Sequence, residues 1–535
     1  MKIAQHHCAS IASMVLLLLI STIVGAGQIE PPAIEIELTP DIKAALDTID
    51  PESMRRNLDF IASDELGGRD TPSPGLDMAA EYIAKQFKAA GLLPMEDGTY
   101  FQEAHWQTLR PEEDSFVLHL MQGGETIHVA LAQTSVNLGG AVDVTSATLF
   151  KIDADDAETL AQLIPEQVSG KVVLTVVPDY RTVERARRRE VFMARRAFMR
   201  RMAELNASLV VSVNRHIPTG EGFGRPMLID PDNPYPRTGQ NSGVPQITVH
   251  HPAFATLLDE AAPGDLVETL TFKVGGPREH PVVLRNVIGL LRGSDPTLRE
   301  TYVMVTAHYD HIGIRHGTPE GEDNINNGAN DDGSGTVSVI ELAKALCTLE
   351  TKPKRSIIFM CVFGEERGLL GSRYYGRNPI FPILQTVADV NLEHMGRTDD
   401  VEGPQIRRAS MTGFDYSEVG EIFRVAGELT GIVLFKHETN SDAFFSRSDN
   451  QALADQGVPA HTISVAYIFP DYHGVGDHAD LVDYENLALV NQMVGLGILH
   501  IANSEDEPRW SESNSRASSY LDAWRQRRGI EVDGD

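Results

Sequence analysis

The sequence predicts an α/β protein, with a mixed central sheet flanked by helices and a mainly β insertion. Three observations lead there. Four short apolar, β-branched runs, Tyr302 to Thr306, Ser356 to Phe363, Val387 to Leu392 and His461 to Tyr467, read as buried strands. Segments with apolar residues at helical spacing lie between them, such as Val339, Ile340, Ala343 and Leu346 within Thr336 to Leu346. Third, from about residue 110 to 280, strand candidates at Lys171 to Val177, Leu209 to Val213 and Pro245 to Val249 are separated by turn signals.

Taken in order, 535 residues suggest two or three domains. Residues 1–26 read as a signal peptide: Lys2, an apolar run from Met14 to Val24, then small residues from Gly25 to Gly27. The run is shorter than the roughly 20 residues a spanning helix needs. We therefore expect export, periplasmic or extracellular, with no stable membrane span after cleavage. Cys8 lies before that run, and Cys347 and Cys361 fall in predicted core elements, which argues against a disulfide framework. Residues 27–109 begin the main domain, with Ala79, Ala80, Ile83 and Phe87 on one helical face and Gly91 as its stop. Within the insertion, 110–280, nine arginines stand between Arg181 and Arg201. Val191, Ala194, Phe198 and Met202 form a stripe opposite them, so the arginines read as the solvated face of a docked helix. A net charge of -30 argues against nucleic acid as a partner. Residues 281–503 carry the chemistry-bearing motifs. The tail, 504–535, contains SESNSRASSY and reads as a polar extension unable to build its own core.

Each strand of the 281–503 segment ends in potential ligands. His308 and Asp310 follow the first, Glu365 and Glu366 the second, Glu393 the third, and Asp471-Tyr472-His473 the fourth. Asp331 and Asp332 lie in a Gly- and Asn-rich loop before a helix. In open α/β sheets ligands bind outside the carboxyl ends of the strands. Neutral imidazole and carboxylate together suit zinc, and the two oxygens of Asp331 can reach two metals. Asp310, two residues past His308, is placed to accept the other ring N–H of His308. His311 and His316 read as substrate-side or merely polar. His394 follows Glu393, and strand alternation turns it away. His478 competes with His473, which the Asp-Tyr-His context favours.

The blocks TAHYDHIG, NNGANDDGSG, FGEERGLLGS, NLEHMG and PDYHGVGDHADLVDYENL resemble the motifs of the secreted dizinc aminopeptidases. That family also includes glutamate carboxypeptidase, glutaminyl cyclase and the non-catalytic transferrin receptor. The resemblance implies a zinc exopeptidase fold and two Zn2+ per chain, one held by His308, Asp331 and Glu393, the other by Asp331, Glu366 and His473. It further implies Glu365 as general base, Asp310 as the orienter of His308, Tyr472 as a donor to the tetrahedral intermediate, and a cis peptide after Asp331. The implied reaction is hydrolysis of N-terminal residues from peptides with a free N-terminus. Gly68-Arg69, Pro74-Gly75 and Asn286 to Gly289 continue the likeness. Gly170 to Leu174, Ala207 to Val213 and Val244 to Ile247 resemble a protease-associated domain.

The chain departs from the commonest pattern in carrying Glu393 where many members have Asp, which leaves metal preference open. It also has Ser448-Asp449-Asn450 for Ser-Asp-His, and His478 for Thr. Three rivals follow. A glutamate-releasing carboxypeptidase needs cations for the substrate's carboxylates, with Arg315, Arg397 and Arg447 as candidates. Glutaminyl cyclase uses one zinc. A receptor-like binding protein has no need of a complete ligand set.

Overall fold

Strands covered on both faces are buried along their whole length, and Tyr302–His308, Ser356–Val362 and Thr386–Leu392 are buried at every position. They form the middle of a nine-stranded sheet in a computed structural model. The described residues are 34–530, apart from 139, 153–156, 178–182, 185–186, 216–219, 233–242, 317 and 319–320. The expected signal peptide lies outside them. Tyr302–His308 runs parallel to both neighbours, and Thr386–Leu392 runs parallel to Ala460–Ser464. Arg278–Leu291 pairs antiparallel with Ser356–Val362, and Phe101–Arg110 antiparallel with Arg278–Leu291, from Phe101 opposite Val287 to Arg110 opposite Arg278. Arg408–Met411 and Val433–Phe435 complete the other edge. The sheet is mixed, as the sequence predicts.

Local signals set the helices. Pro74–Ala90 starts where the Ser73 side chain accepts the Leu76 N–H, with proline in its first turn, and stops at Gly91 with φ +91°. Its Ala79, Ala80, Ile83 and Phe87 are all buried. Ser334–Cys347 follows the Asp331-Asp332 loop and packs on the central strands. Among the described residues no helix is long and apolar enough to cross a membrane. Cys347 and Cys361 are free thiols.

The insertion supplies a second, eight-stranded sheet built from strands between Val117 and Val274. Val142–Lys151, Val172–Val176, Leu209–Val213 and Gln246–Val249 are mutually parallel in sequence. Parallel neighbours need crossovers, so helices such as Arg188–Glu204 and Pro252–Glu260 accompany the sheet. It has its own core around Leu149, Val172, Val211, Ile247 and Phe272. Arg188–Glu204 buries Phe198 and Met202 and leaves Arg189, Arg196 and Arg200 exposed. One strand, Met227–Ile229, leaves the second sheet and pairs with Phe101–Arg110 at the edge of the first.

The tail differs from its expectation. Ser518–Arg527 is a helix, and Trp510, Ala517 and Leu521 are buried in one core cluster with Tyr302, Tyr375 and Phe445. The Trp510 Nε1–H donates to the Gly457 carbonyl at 2.9 Å. Polar composition hid widely spaced aromatic anchors that use the main domain's core instead of building their own.

Candidate metal centre

Asp331 stands between two sets of donors. The Asn330 and Asp331 N–H groups both donate to the buried Asp477 carboxylate, at 3.0 and 3.1 Å, and the Asp331–Asp332 peptide is cis. On one side His308 Nε2 lies 3.4 Å from Asp331 Oδ1, and Glu393 completes a group whose ligand atoms are all within 4.8 Å of one another. On the other, His473 Nε2 lies 3.2 Å from Asp331 Oδ2 and 3.2 Å from Glu366 Oε1. The five ligands named from sequence thus meet at one place.

The strand ends aim them. His308 is the last residue of its strand, and its Nδ1 sits 3.1 Å from the Asp310 carbonyl oxygen and 3.5 Å from the Asp310 carboxylate. The backbone carbonyl therefore shares the orienting role expected of the side chain. The Asp310 carboxylate in turn accepts the Glu365 N–H at 3.0 Å and the Thr71 hydroxyl at 3.1 Å. Gly364, at φ +70°, turns the chain out of its strand so that Glu365 and Glu366 both leave the alternation and reach the centre. Tyr472 is 45 % exposed, and its ring stacks on His473 with centroids 4.0 Å apart.

Two histidines depart from their expected places. His394 does not turn away: its Nε2 lies 3.5 Å from Asp331 Oδ1 and 3.8 Å from Glu393 Oε1. The strand ends at Leu392 and His394 has φ +56°, so alternation no longer governs it. His311 is fully buried, with Nδ1 2.9 Å from Glu366 Oε1. Spacing within His308-Tyr309-Asp310-His311 was the available signal, but a loop hides where its second histidine points. His478 instead approaches Asp323, at 3.3 Å, and His316 is exposed.

Arg69 is a further residue that periodicity does not reveal. Fully buried, it donates to the carbonyls of Tyr309, Ile61, Asn327 and Gly328 at 2.6–2.9 Å, tying the loop after His308 to the loop before Asp331.

The donor set fits divalent cations. His308 Nε2, both ring nitrogens of His311, Asp331 Oδ2, Glu366 Oε1 and His394 Nε2 are buried without a hydrogen-bond partner. Buried polar atoms rarely go unsatisfied, and these converge on Asp331. Zinc suits the mixture of imidazole and carboxylate. The charges agree. Burial resists protonation of His394 and His473, yet Asp331 with Glu393 holds the first up at about 9, and Asp331 with Glu366 holds the second at about 10. Metal binding here would release those protons. Burial and Asp331 push the Glu366 carboxyl up, but His311 and His473 outweigh them and hold it at about 2. Burial raises Glu365 well above the carboxylate range, with Glu393, Asp449 and Glu366 adding to it against the pull of His308.

A cavity of about 60 Å³ opens beside the centre, lined by Glu365, Glu393, Thr412, Arg447, Ser464 and Tyr467 among others. Arg447 rests over the Phe444 ring, 4.7 Å from its centroid. Arg397 is bound to Asp399 at 2.6 Å and to Asp471 at 3.0 Å. Arg315 approaches the His473 carbonyl at 3.5 Å.

Known proteins share this fold and, over short stretches, this sequence. A zinc aminopeptidase from Bacillus subtilis is similar in fold, with TM-score 0.55 and 17% identity over 86% of this chain and 96% of that one. An aminopeptidase from Aneurinibacillus sp. strain AM-1 gives 0.52 and 20% over 88% and 100%. In sequence, a vacuolar membrane protease of Pyricularia oryzae is 33% identical over 94 residues, 18% of this chain and 8% of that protein. A probable zinc metalloprotease of Leptosphaeria maculans is 41% identical over 96 residues, 18% and 20%. The matched stretch spans a fifth or less of the length of these two relatives. Residues 286–496, in which all five candidate ligands lie, match peptidase family M28.

Proposed function

We propose that this chain is an aminopeptidase that removes N-terminal residues from peptides, using two zinc ions. His308, Asp331 and Glu393 hold one, and Asp331, Glu366 and His473 hold the other. The observation that carries the reading is Asp331 itself, whose Oδ1 faces His308 Nε2 and whose Oδ2 faces His473 Nε2, with His308 Nε2 and Glu366 Oε1 buried and unsatisfied. When bound, the metals polarise the scissile carbonyl and make a water acidic near neutral pH. Glu365 takes that proton, which its raised affinity for protons suits, and passes it to the leaving amine. Asp310 fixes the ring of His308 and the backbone of Glu365 together. The Tyr472 hydroxyl donates to the tetrahedral intermediate.

The substrate's free amino group sits among the carboxylates at the mouth of the small cavity. Engagement of Arg397 by two aspartates leaves only Arg315 and Arg447 for a substrate carboxylate, which favours the aminopeptidase over the glutamate-releasing carboxypeptidase. The insertion, which resembles a protease-associated domain, shapes access, and the apolar leader sends the protein out of the cytoplasm.

Zinc content and turnover of free against N-blocked aminoacyl substrates test this. Close to two zincs per chain, with activity on free substrates alone, is the expected result. One zinc per chain points to cyclase chemistry, and preference for the blocked substrate points to the carboxypeptidase.

A further inference from the structure

His311 has no role in the ligand set above. It is fully buried, yet neither Nδ1 nor Nε2 has a hydrogen-bond partner. Its Nδ1 lies 2.9 Å from Glu366 Oε1 and 3.8 Å from Asp331 Oδ2, facing the same two oxygens as His473 Nε2. It is near enough to Glu366 for a hydrogen bond but is not aligned for one. Donors bonded to zinc at roughly 2.0–2.1 Å stand about 3.3 Å apart in a tetrahedral shell. The two spacings of His311 bracket that distance, and its nitrogen with Asp331 and Glu366 forms a closed triangle within 4.8 Å.

The ring is also held in place. The His311 N–H donates to the Arg69 carbonyl at 3.2 Å, and its ring packs against the bare backbone of Gly328, where a Cβ would meet it at 2.5 Å. His473, by contrast, has a side chain 38% exposed.

We propose that His311 is a ligand of the second metal, forming its buried floor with Asp331 and Glu366 while His473 closes the shell from the solvent side. This rests on the dinuclear reading above and adds to it. The second ion then has more protein ligands than the first and is the last to leave under chelation. The first keeps three and an open position, the arrangement catalytic zinc needs.

The test compares His311→Ala, His311→Gln and His473→Ala by zinc retained against a competing chelator and by the visible spectrum of the cobalt(II)-loaded protein. Both His311 variants are expected to lose one metal at least about 10-fold more readily, with a changed cobalt spectrum. Wild-type retention of two zincs overturns the assignment. So does weaker binding with an unchanged spectrum, which makes His311 a partner of Glu366 only. Melting of the zinc-free proteins checks folding. Should both variants unfold, X-ray absorption on the zinc-loaded wild type decides, with about 1.5 imidazoles per zinc if His311 binds and about 1 if it does not. A wild type holding no zinc would instead remove the proposed function itself.

Discussion

Glu365 and Glu366 are adjacent in the chain and opposite in charge behaviour. The Glu366 carboxylate touches His311 at 2.9 Å and His473 at 3.2 Å and is held at about 2, whereas burial among carboxylates raises Glu365. Their substitutions should therefore separate. Glu365→Gln should keep both metals and KM while kcat falls about 10²- to 10⁴-fold. Glu366→Ala should lose zinc from one site. Metal loss in the first and retention in the second would mean the roles are reversed.

Removing metal should destabilise the fold as well as stop turnover. Asp331, Glu365, Glu366 and Glu393 crowd one small volume. A ligand at about 1,000 times its Kd contributes about 4 kcal/mol to the state that binds it. Thermal melts with chelator, and again after zinc is restored, should show a lowered and then recovered Tm. An unchanged Tm would deny any coupling between metal and fold.

Arg69→Met should cost at least about 3 kcal/mol, because four buried carbonyls lose their donor. Arg69→Lys should recover only part of it, since an ammonium lacks the planar fork. Urea unfolding of the zinc-loaded variants measures both. Equal stability of lysine and arginine would show that charge alone matters.

Trp510→Ala should destabilise by about 3–5 kcal/mol, the usual range for a large buried aromatic. It is 3% exposed and packs beside Tyr520 and Phe445. Chemical denaturation should also show that truncation after Asn503 does at least as much harm. A truncated protein of wild-type stability would mean that the tail helix only rests on the surface.

His461 predicts an acid-sensitive stability. It is fully buried and neutral, with Nδ1–H donating to the Thr412 carbonyl at 2.9 Å and Nε2 2.6 Å from the Ser417 hydroxyl. Burial lowers its pKa to about 4, against an ordinary value of 6.5. Below about 6.5 the unfolded chain takes up the proton first, so stability is full above that pH and falls by roughly 3 kcal/mol towards pH 4. The stability difference between wild type and His461→Gln, measured from pH 7 to pH 4.5, should shrink as pH falls. A constant difference would remove His461 as the source.

What was legible from sequence follows from how local each signal is. The central strands announce themselves because a strand covered on both faces is apolar along its length, and four of the five candidate ligands because they follow such strands, whereas Asp331 is marked by its Gly- and Asn-rich loop before a helix. Gly91, Phe87 and Phe198 are set by periodicity and capping, which act within a few residues. His394 escapes the strand's alternation, because the strand stops at Leu392 and φ turns positive at His394. The burial of His311, the four carbonyls around Arg69 and the docking of Trp510 all depend on partners distant in sequence, for which no periodic pattern exists.

The short Met227–Ile229 strand has one more consequence. It covers the outer hydrogen-bonding edge of Phe101–Arg110 opposite Gln107, Thr108 and Leu109. An uncovered edge of that kind templates pairing with another molecule. By lending one strand back, the insertion caps that stretch of the first sheet, so removing the insertion would uncover the backbone hydrogen-bonding groups of Gln107 to Leu109.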